Sequence, residues 1–373
     1  MLTIERFLSL TMSALLVIGG VGCEPGTNGL VDSVETPFDH PQDLLFAGSL
    51  LIVTNTGYSS SQWRPGYLSV IDVEQGKVIH QISTSRLNPQ RLKHHNGQLL
   101  SINTGSYDLS DFDRPTTDTP GSIDGFTLAQ LTTLNEPSWT LELDTSLIAP
   151  ADIAFSGQTA LMSSSIRPSY LMGTLDRSVV LAGEGHELPN QGSLSLVAVK
   201  SWREHFLLID FNSDQLSLVD HDGQLLCQLE LGRRVDEMEG AMSPQIQGDN
   251  LYILLALSGE LRRVDLSRIL DTCEADIETV VSPLGQVPNH LIIRDNRAFI
   301  VHSGDNHVAE FDLTSGAEVR RWVMPVSSNP WSAAISDDGQ WLAVTKWAHH
   351  GVTIINLQNE RRREVEFGFT QTE

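Results

Sequence analysis

The chain has 373 residues, of which 40% are hydrophobic and 19% are charged, so it can bury a large core. With 47 acidic and 24 basic residues, its formal net charge is −23. Such a charge repels nucleic acid and anionic lipid, and we therefore expect neither as a partner.

Residues 1–23 have the features of an export signal. Arg6 precedes an apolar run that ends in small residues before Cys23, and the run is shorter than the roughly 20 residues needed to span a bilayer. The segment resembles a bacterial lipoprotein signal. This implies that Cys23 is lipidated and that the protein is held in the cell envelope, at the outer membrane, facing the periplasm or the cell surface. Membrane contact is expected only through this lipid.

Residues 24–38 are predicted to be a tether, and residues 39–373 a folded domain. The tether includes residues 30–34, a candidate strand that would close the folded domain onto itself. The segment 364–367 and the residues just before it compete for the same outer position in the last repeat. The sequence leaves open which terminus supplies that strand.

A strand that ends in Asp or Asn recurs along the folded domain. Its anchors are Asp72, Asp176, Asp220, Asp265, Asp312 and Asn356, and from Asp176 onward they lie 44 to 47 residues apart. The long interval after Asp72 holds one further unit, whose strand ends at Thr127. Seven such units predict an all-β, seven-bladed β-propeller of four-stranded antiparallel blades. Each anchor is expected to accept N–H bonds from the turn that follows it.

A proline opens the first strand of five units, where it costs no ladder hydrogen bond: Pro41, Pro89, Pro150, Pro288 and Pro330. First strands line the channel of a propeller. Two residues after these prolines stand Asp43, Arg91, Asp152, His290 and Ser332, with Glu239 or Gly240 at the blade-five position. One interpretation is a set of mutually paired charges in a water-filled channel mouth. The other is a ligand site, with Asp43, Asp152 and Glu239 on Ca²⁺ and with Arg91 and His290 on an anionic substrate.

The unit resembles the YVTN-repeat β-propeller family of bacterial surface and periplasmic proteins. The residues that carry the resemblance are SLLIVTNTG (49–57), SVIDVEQGKVIHQI (69–82) and the last two units, within a match over about residues 40–367. The resemblance implies the fold. It implies no single function, because propellers include binding modules, lyases, lactonases and redox enzymes.

The loops between the second and third strands are long in blades one to three and short in blades four to six. Aromatic and arginine side chains in the long loops predict a recognition surface: Tyr58, Trp63, Arg64, Tyr107, Arg114, Arg167 and Tyr170. Asp108, Asp111 and Asp113 form an acidic cluster there, to be interpreted either as a Ca²⁺ site or as solvated loop charge. Cys227 and Cys273 either form one disulfide or remain two buried thiols.

No GxSxG or HExxH motif points to hydrolase chemistry. The first hypothesis is therefore a monomeric, non-catalytic propeller without a cofactor that binds a protein or a glycan through the loops of blades one to three. The alternative is a propeller enzyme, lactonase-like or a metal-assisted hydrolase, with its site in the central channel.

Overall fold

The computed structural model describes residues 38–59, 62–63, 65–108, 116–143, 147, 149–175, 179–180, 185–189, 197–232 and 238–365. Seven antiparallel sheets follow one another in chain order, and each has its first strand at one edge. This confirms the predicted seven-bladed β-propeller. Cys23, residues 24–37 of the predicted tether and the candidate strand at 30–34 lie outside the described residues, whereas Phe38, the last tether residue, is described and is buried. Within those residues, no helix has the length and apolar character needed to cross a membrane.

In blades one to three the strands are ordered from the channel to the outside of the ring. Blade one contains β1 (Pro41–Ala47), β2 (Leu50–Asn55), β5 (Pro65–Asp72) and β6 (Lys77–Leu87), with the hairpin β3 (Tyr58–Ser59) and β4 (Gln62–Trp63) between β2 and β5. Blade two contains β7 (Pro89–His95), β8 (Gln98–Asn103), β11 (Ser122–Thr127) and β12 (Trp139–Glu142), with the hairpin β9 (Ser106–Asp108) and β10 (Thr116–Thr119). Blade three contains β13 (Pro150–Ser156), β14 (Thr159–Ser164), β15 (Ser169–Leu175) and an outer edge split between β16 (Val179–Val180) and β17 (Gly185–Glu187).

Blades four to seven are more regular. Blade four contains β18 (Val197–Trp202), β19 (His205–Asp210), β20 (Gln215–Val219) and β21 (Leu225–Glu230). Blade five contains β22 (Ala241–Gln247), β23 (Asn250–Leu255), β24 (Glu260–Asp265), the helix α1 (Ile269–Thr272) and β25 (Asp276–Val281). Blade six contains β26 (Pro288–Arg294), β27 (Arg297–His302), β28 (His307–Asp312) and β29 (Glu318–Val323). Blade seven contains β30 (Pro330–Ile335), β31 (Trp341–Lys346), β32 (Gly351–Asn356) and β33 (Arg362–Val365). Two short 3₁₀ helices cover Leu128–Gln130 and Trp347–His349.

The anchors at the end of the third strands have the role that the sequence predicts. Asp72 Oδ1 accepts the Gln75 N–H at 2.8 Å, and Asp312 Oδ1 accepts the N–H groups of Thr314 and Ser315. Asp220, Asp265 and Asn356 accept bonds from their own turns in the same way. Asp176 lies outside the described residues. The five opening prolines are each the first residue of an innermost strand.

The core is divided among the gaps between blades. Each of the seven apolar clusters joins two neighbouring sheets, because each sheet buries both of its faces. The cluster that closes the ring packs blade one against blade seven and includes Phe38, Leu51 and Ile354. A single blade therefore has no core of its own, and the whole ring must assemble to bury its apolar surface.

The outer strand of blade seven comes from the C-terminal part of the chain. β33 pairs with β32, and Glu364 of β33 bonds the Lys346 ammonium at 2.5 Å and the Thr353 hydroxyl at 2.7 Å. Lys346 is fully buried, so this ion pair joins the outermost strand to the interior of the blade. The ring-closing role of residues 30–34 stays a prediction.

A repeated contact joins each of several blades to the next one. The residue immediately before the third strand is Asp214 in blade four, Asn306 in blade six and His350 in blade seven, and each of them has a positive φ. The side chain of each accepts a backbone N–H from the start of the following blade. Asp214 accepts from Glu239 and Ala241, Asn306 accepts from Asn329, and His350 Nδ1 accepts from His40. The last of these links blade seven to blade one across the ring closure.

Cys227 and Cys273 form a disulfide, which decides between the two alternatives left open by the sequence. Their Cα atoms lie 5.6 Å apart, and the bond joins β21 of blade four to the end of α1 in blade five. The bridge closes a segment across a sequence separation of 46 residues, so it restricts the unfolded chain considerably.

We expect the double variant Cys227→Ala, Cys273→Ala to lose about 2–4 kcal/mol of unfolding free energy, measured by urea denaturation. A reductant should lower the stability of the wild-type protein to a similar extent and leave that of the variant unchanged. Equal stability of the oxidised and reduced wild-type proteins would contradict the expectation.

Candidate functional site

A cavity of about 720 Å³ occupies one mouth of the central channel, and residues of all seven blades line it. Its walls come from the first strands and from the loops between second and third strands, which is the face that the sequence predicts. Its volume is in the range of small-molecule sites. The apolar part of the lining includes Phe211, Met242, Trp331 and Trp347.

The recurrent first-strand position forms a belt around this cavity. Asp43, Arg91, Asp152, Ala198, Ser243, His290 and Ser332 all line it. Four of these residues occupy the same place in the sheet register. Each pairs with the next-to-last residue of the second strand of its own blade: Arg91, Asp152, Ala198 and His290. The structure thus brings together four of the five residues that the sequence predicts as ligand contacts, Asp43, Arg91, Asp152 and His290, with Ser332 beside them.

Glu239 is the exception, and its predicted place at the channel mouth is wrong. Blade five has no opening proline, and Ala241 takes that position by pairing with Leu255 at the end of β23. Two residues later stands Ser243, whose hydroxyl accepts the Leu291 N–H at 2.9 Å. Glu239 is buried instead, and its Oε2 lies 3.0 Å from Arg262 Nη2.

Asp43 is held by its neighbours on both sides. It accepts hydrogen bonds from the Ser332 hydroxyl and from the Leu92 N–H, both at 2.9 Å. His290 Nδ1 lies 3.5 Å from the same hydroxyl. In a catalytic triad the histidine lies between serine and carboxylate. Ser332 donates directly to Asp43, so this arrangement does not prepare the serine as a nucleophile.

Among the described residues, three cationic side chains and two carboxylates line the cavity. Lys93 Nζ bonds Asp152 Oδ1 at 2.7 Å, whereas Arg91 Nη1 is 3.9 Å from Asp43 Oδ2. Lys200 has no hydrogen bond or ion pair with any of the described residues. One positive charge is thus left over on the described cavity wall, in a protein whose formal net charge is −23.

Burial in the channel shifts several pKa values. Desolvation, assisted by the charge of Lys93, lowers the pKa of Lys200 to about 8. Desolvation together with Arg91 and Lys200 lowers the pKa of His290 to about 4, so this imidazole is neutral at pH 7. Burial acts to raise the pKa of Asp152, but Lys93 and Arg91 outweigh that effect and lower it. The carboxylate of Asp152 is therefore ionised and already neutralised by its neighbours.

The predicted loop residues are only partly described. Tyr58 and Trp63 pair in the short hairpin of blade one, and Tyr107 and Asp108 lie in the hairpin of blade two, while Arg64, Asp111, Asp113 and Arg114 are outside the described residues. Arg167 lies in the loop before β15, where its N–H donates to Ser164 Oγ at 3.1 Å. The acidic Ca²⁺ cluster stays a prediction.

Tyr170 does not belong to the predicted loop surface. It lies on β15, is almost fully buried between blades three and four, and donates its hydroxyl to the Gly223 carbonyl at 2.9 Å. Desolvation and the nearby Asp220 raise its pKa to about 12. Because β15 begins at Ser169, Tyr170 is a strand residue and not a loop residue, and its side chain packs in the core.

Sequence reasoning missed Lys93 and Lys200, which are central to the charge of the cavity. A signal was present, because Lys93 follows Arg91 by two residues and Lys200 follows Ala198 by two. Alternate residues of a strand point to the same face. Any charged residue two positions along an innermost strand was therefore a candidate for the channel wall.

Comparison with known proteins supports the fold and no more. No protein-family model matches the sequence, and no curated protein is significantly similar to it. Among solved structures, a streptogramin B lyase matches with a TM-score of 0.59 and 11% identity, covering 84% of this chain and 93% of that one. A putative 6-phosphogluconolactonase from Bacteroides fragilis matches with a TM-score of 0.59 and 13% identity, covering 85% and 96%. The WD40 domain of Neurospora crassa Pan2 matches with a TM-score of 0.58 and 11% identity, covering 85% and 88%.

These similar structures include enzymes and a WD40 domain. At such identities they show that the chain has the propeller fold, and the assignment to the YVTN-repeat family stays a prediction. Function has to be argued from the residues of the cavity.

Proposed function

We propose that the protein is a binding propeller that holds a small organic anion at the mouth of its central channel. The observation that carries the proposal is Lys200, a cation on the wall of the channel-mouth cavity that has no hydrogen bond or ion pair with any of the described residues. A bound carboxylate or phosphate would relieve the cost of keeping this charge desolvated.

Two further features support an anionic ligand with an organic body. Arg91 faces the cavity with 39% of its side chain exposed, and its nearest carboxylate is beyond hydrogen-bond distance at 3.9 Å. Trp331 and Trp347 of blade seven also line the cavity and offer apolar contact. Because Asp43 and Asp152 are already engaged with neighbouring groups, the cavity favours an anion over a cation such as Ca²⁺.

Catalysis at the same place is the second candidate function. A lysine whose pKa lies near 8 has the properties of a general base near neutral pH, and cavities with such groups are often active sites. In that case the same anion would be a substrate, and incubation with the protein would convert it. A ligand recovered unchanged supports the binding role.

We propose export and anchoring through Cys23 as the setting for this activity. The disulfide supports export, because such bonds persist in oxidising compartments outside the cytosol. A protein or glycan partner on the loops of blades one to three remains a separate proposal, supported by the two hairpins in those loops.

The test is isothermal titration calorimetry with two matched pairs of ligands, gluconate against sorbitol and benzoate against benzamide. In each pair the charge is the main difference. We expect at least one anion to bind at least about tenfold more tightly than its neutral analogue, and Lys200→Met to abolish that preference.

Lys77→Met is the matched control, because Lys77 is exposed at the start of β6, outside the cavity wall. It should bind as the wild-type protein does. Equal affinity for both members of each pair, or the same loss of affinity in both lysine variants, would contradict the proposal.

A further inference from the structure

Asp39, His40 and His350 form a cluster of metal-ligand type at the junction of blades one and seven. Each side chain offers one donor atom, and these atoms all lie within 4.8 Å of one another. Asp39 and His40 precede β1, whereas His350 lies between β31 and β32, so residues 310 positions apart in the sequence meet here.

The cluster is built into the ring rather than placed on a free loop. The Asp39 N–H donates to the buried Asn55 Oδ1 at 3.0 Å, and the Asp39 carbonyl accepts the Thr56 N–H at 3.0 Å. The His40 N–H donates to His350 Nδ1 at 3.2 Å. The Trp347 ring lies against His40, with the ring centroids 4.5 Å apart. The side chains of Asp39 and His40 are each only 19% exposed.

The other blades show that neither histidine is required by the backbone. The position of His40, before the opening proline, has a positive φ also at Asn88, Ala149, Val287 and Asn329. The position of His350 is occupied by Asn306 in blade six, where the amide oxygen accepts the equivalent N–H of the next blade. Asparagine thus performs the structural task. Among the described blade junctions, imidazoles occupy both of these positions at the junction of blades seven and one, where the Asp39 carboxylate lies beside them.

We propose that Asp39, His40 and His350 bind a divalent transition-metal ion of the Zn²⁺ type. Two imidazoles and one carboxylate suit such ions, whereas Ca²⁺ and Mg²⁺ prefer oxygen ligands alone. Bonds of about 2.0–2.2 Å place the donors of a tetrahedral ion about 3.3–3.6 Å apart. Asp39 Oδ1 is 2.7 Å from His40 Nδ1 and 4.0 Å from His350 Nδ1, so these distances lie on either side of the required spacing.

Binding exchanges existing contacts for metal bonds. Binding through His40 Nδ1 displaces the proton that this atom shares with Asp39, and the neutral imidazole then carries its single proton on Nε2. Binding through His350 Nδ1 replaces the hydrogen bond from the His40 N–H. Three protein ligands leave the fourth position of the ion open. The ion would lie at the rim of the channel cavity, because Trp347 contacts His40 and also lines that cavity.

The experiment titrates the full chain with zinc sulfate after removal of metals by a chelator, and follows binding by calorimetry and stability by thermal unfolding. We expect one tightly bound Zn²⁺ per chain and a higher Tm, because the ion joins the two ends of the ring. The variant His350→Asn keeps a hydrogen-bond acceptor as Asn306 does. It should bind zinc at least about tenfold more weakly, since one of three protein ligands is lost.

His349→Ala is the matched control, because this neighbour is outside the cluster. It should keep the zinc affinity and the zinc-induced rise in Tm. Asp39→Asn, which preserves the size of the side chain, should lose both. Zinc affinity in His350→Asn equal to that of the wild-type protein, or an equal loss in His349→Ala, would overturn the proposal. So would the absence of stoichiometric zinc binding to the wild-type protein. None of these results depends on the ligand of the channel.

Discussion

Replacement of Arg262 by methionine is expected to lower the unfolding free energy by about 3–5 kcal/mol. Arg262 is 1% exposed on β24, and its Nη2 lies 3.0 Å from Glu239 and 2.9 Å from Glu260. It also donates to the Leu231 carbonyl of the neighbouring blade. Methionine fills a similar volume but removes the cation that lies between the carboxylates of Glu239 and Glu260, and Glu239 is buried.

The adjacent residue offers a matched control for this prediction. Arg263 is on the same strand and pairs with Glu278 at 2.8 Å, but both side chains are largely in solvent. Arg263→Met should therefore change the stability by less than about 1 kcal/mol. Adding Glu239→Gln to Arg262→Met should recover part of the loss, because it removes a buried negative charge that no longer has its ion pair with Arg262. Urea denaturation of the four proteins measures both effects, and equal losses in the two arginine variants would contradict the account.

The second large effect concerns the pH dependence of ligand binding in the channel. Lys200 carries the charge that attracts the anion, and burial with Lys93 nearby lowers its pKa to about 8 in the free protein. A bound anion favours the protonated lysine, so binding above pH 8 requires the uptake of a proton. We expect the affinity to be constant between pH 6 and 7.5 and to fall about tenfold for each pH unit above 8.

The lowered pKa of Lys200 also makes the stability of the fold depend on pH, but stability changes in the opposite direction to ligand affinity. Between pH 8 and 10.5 the unfolded chain holds the Lys200 proton, whereas the folded protein has released it. The contribution of Lys200 to stability therefore rises with pH across this window, because the unfolded state binds more protons there. Deprotonation of Lys200 therefore does not destabilise the fold between pH 8 and 10.5, and unfolding caused by it does not explain weaker ligand binding in this range.

The architecture of the protein was accessible from its sequence because each blade repeats the same local chemistry. Asp312 caps its own turn and Pro330 opens an innermost strand, and both tasks are visible in a few adjacent residues. Arg91, Asp152 and His290 were placed correctly for the same reason. Their distance from an opening proline determines which face of the first strand they occupy.

The errors arose where a contact crosses from one blade to the next. Glu239 was misplaced because blade five lacks the proline that sets the register, and its partner Arg262 is contributed by another strand. Tyr170 was assigned to a loop because its acceptor, the Gly223 carbonyl, belongs to the next blade. The Cys227–Cys273 bond required a Cα separation that no single sequence provides. The meeting of His40 with His350 depends on closure of the ring.

The most direct test of the anion site is the affinity of the tighter-binding carboxylate, gluconate or benzoate, measured from pH 6 to 10. Both ligands keep a constant charge over this range, since carboxylic acids ionise near pH 4. The account predicts a wild-type affinity that falls above pH 8 and a weak, pH-independent affinity in Lys200→Met. A pH-independent affinity in the wild-type protein, or the same decline in Lys200→Met, would contradict it.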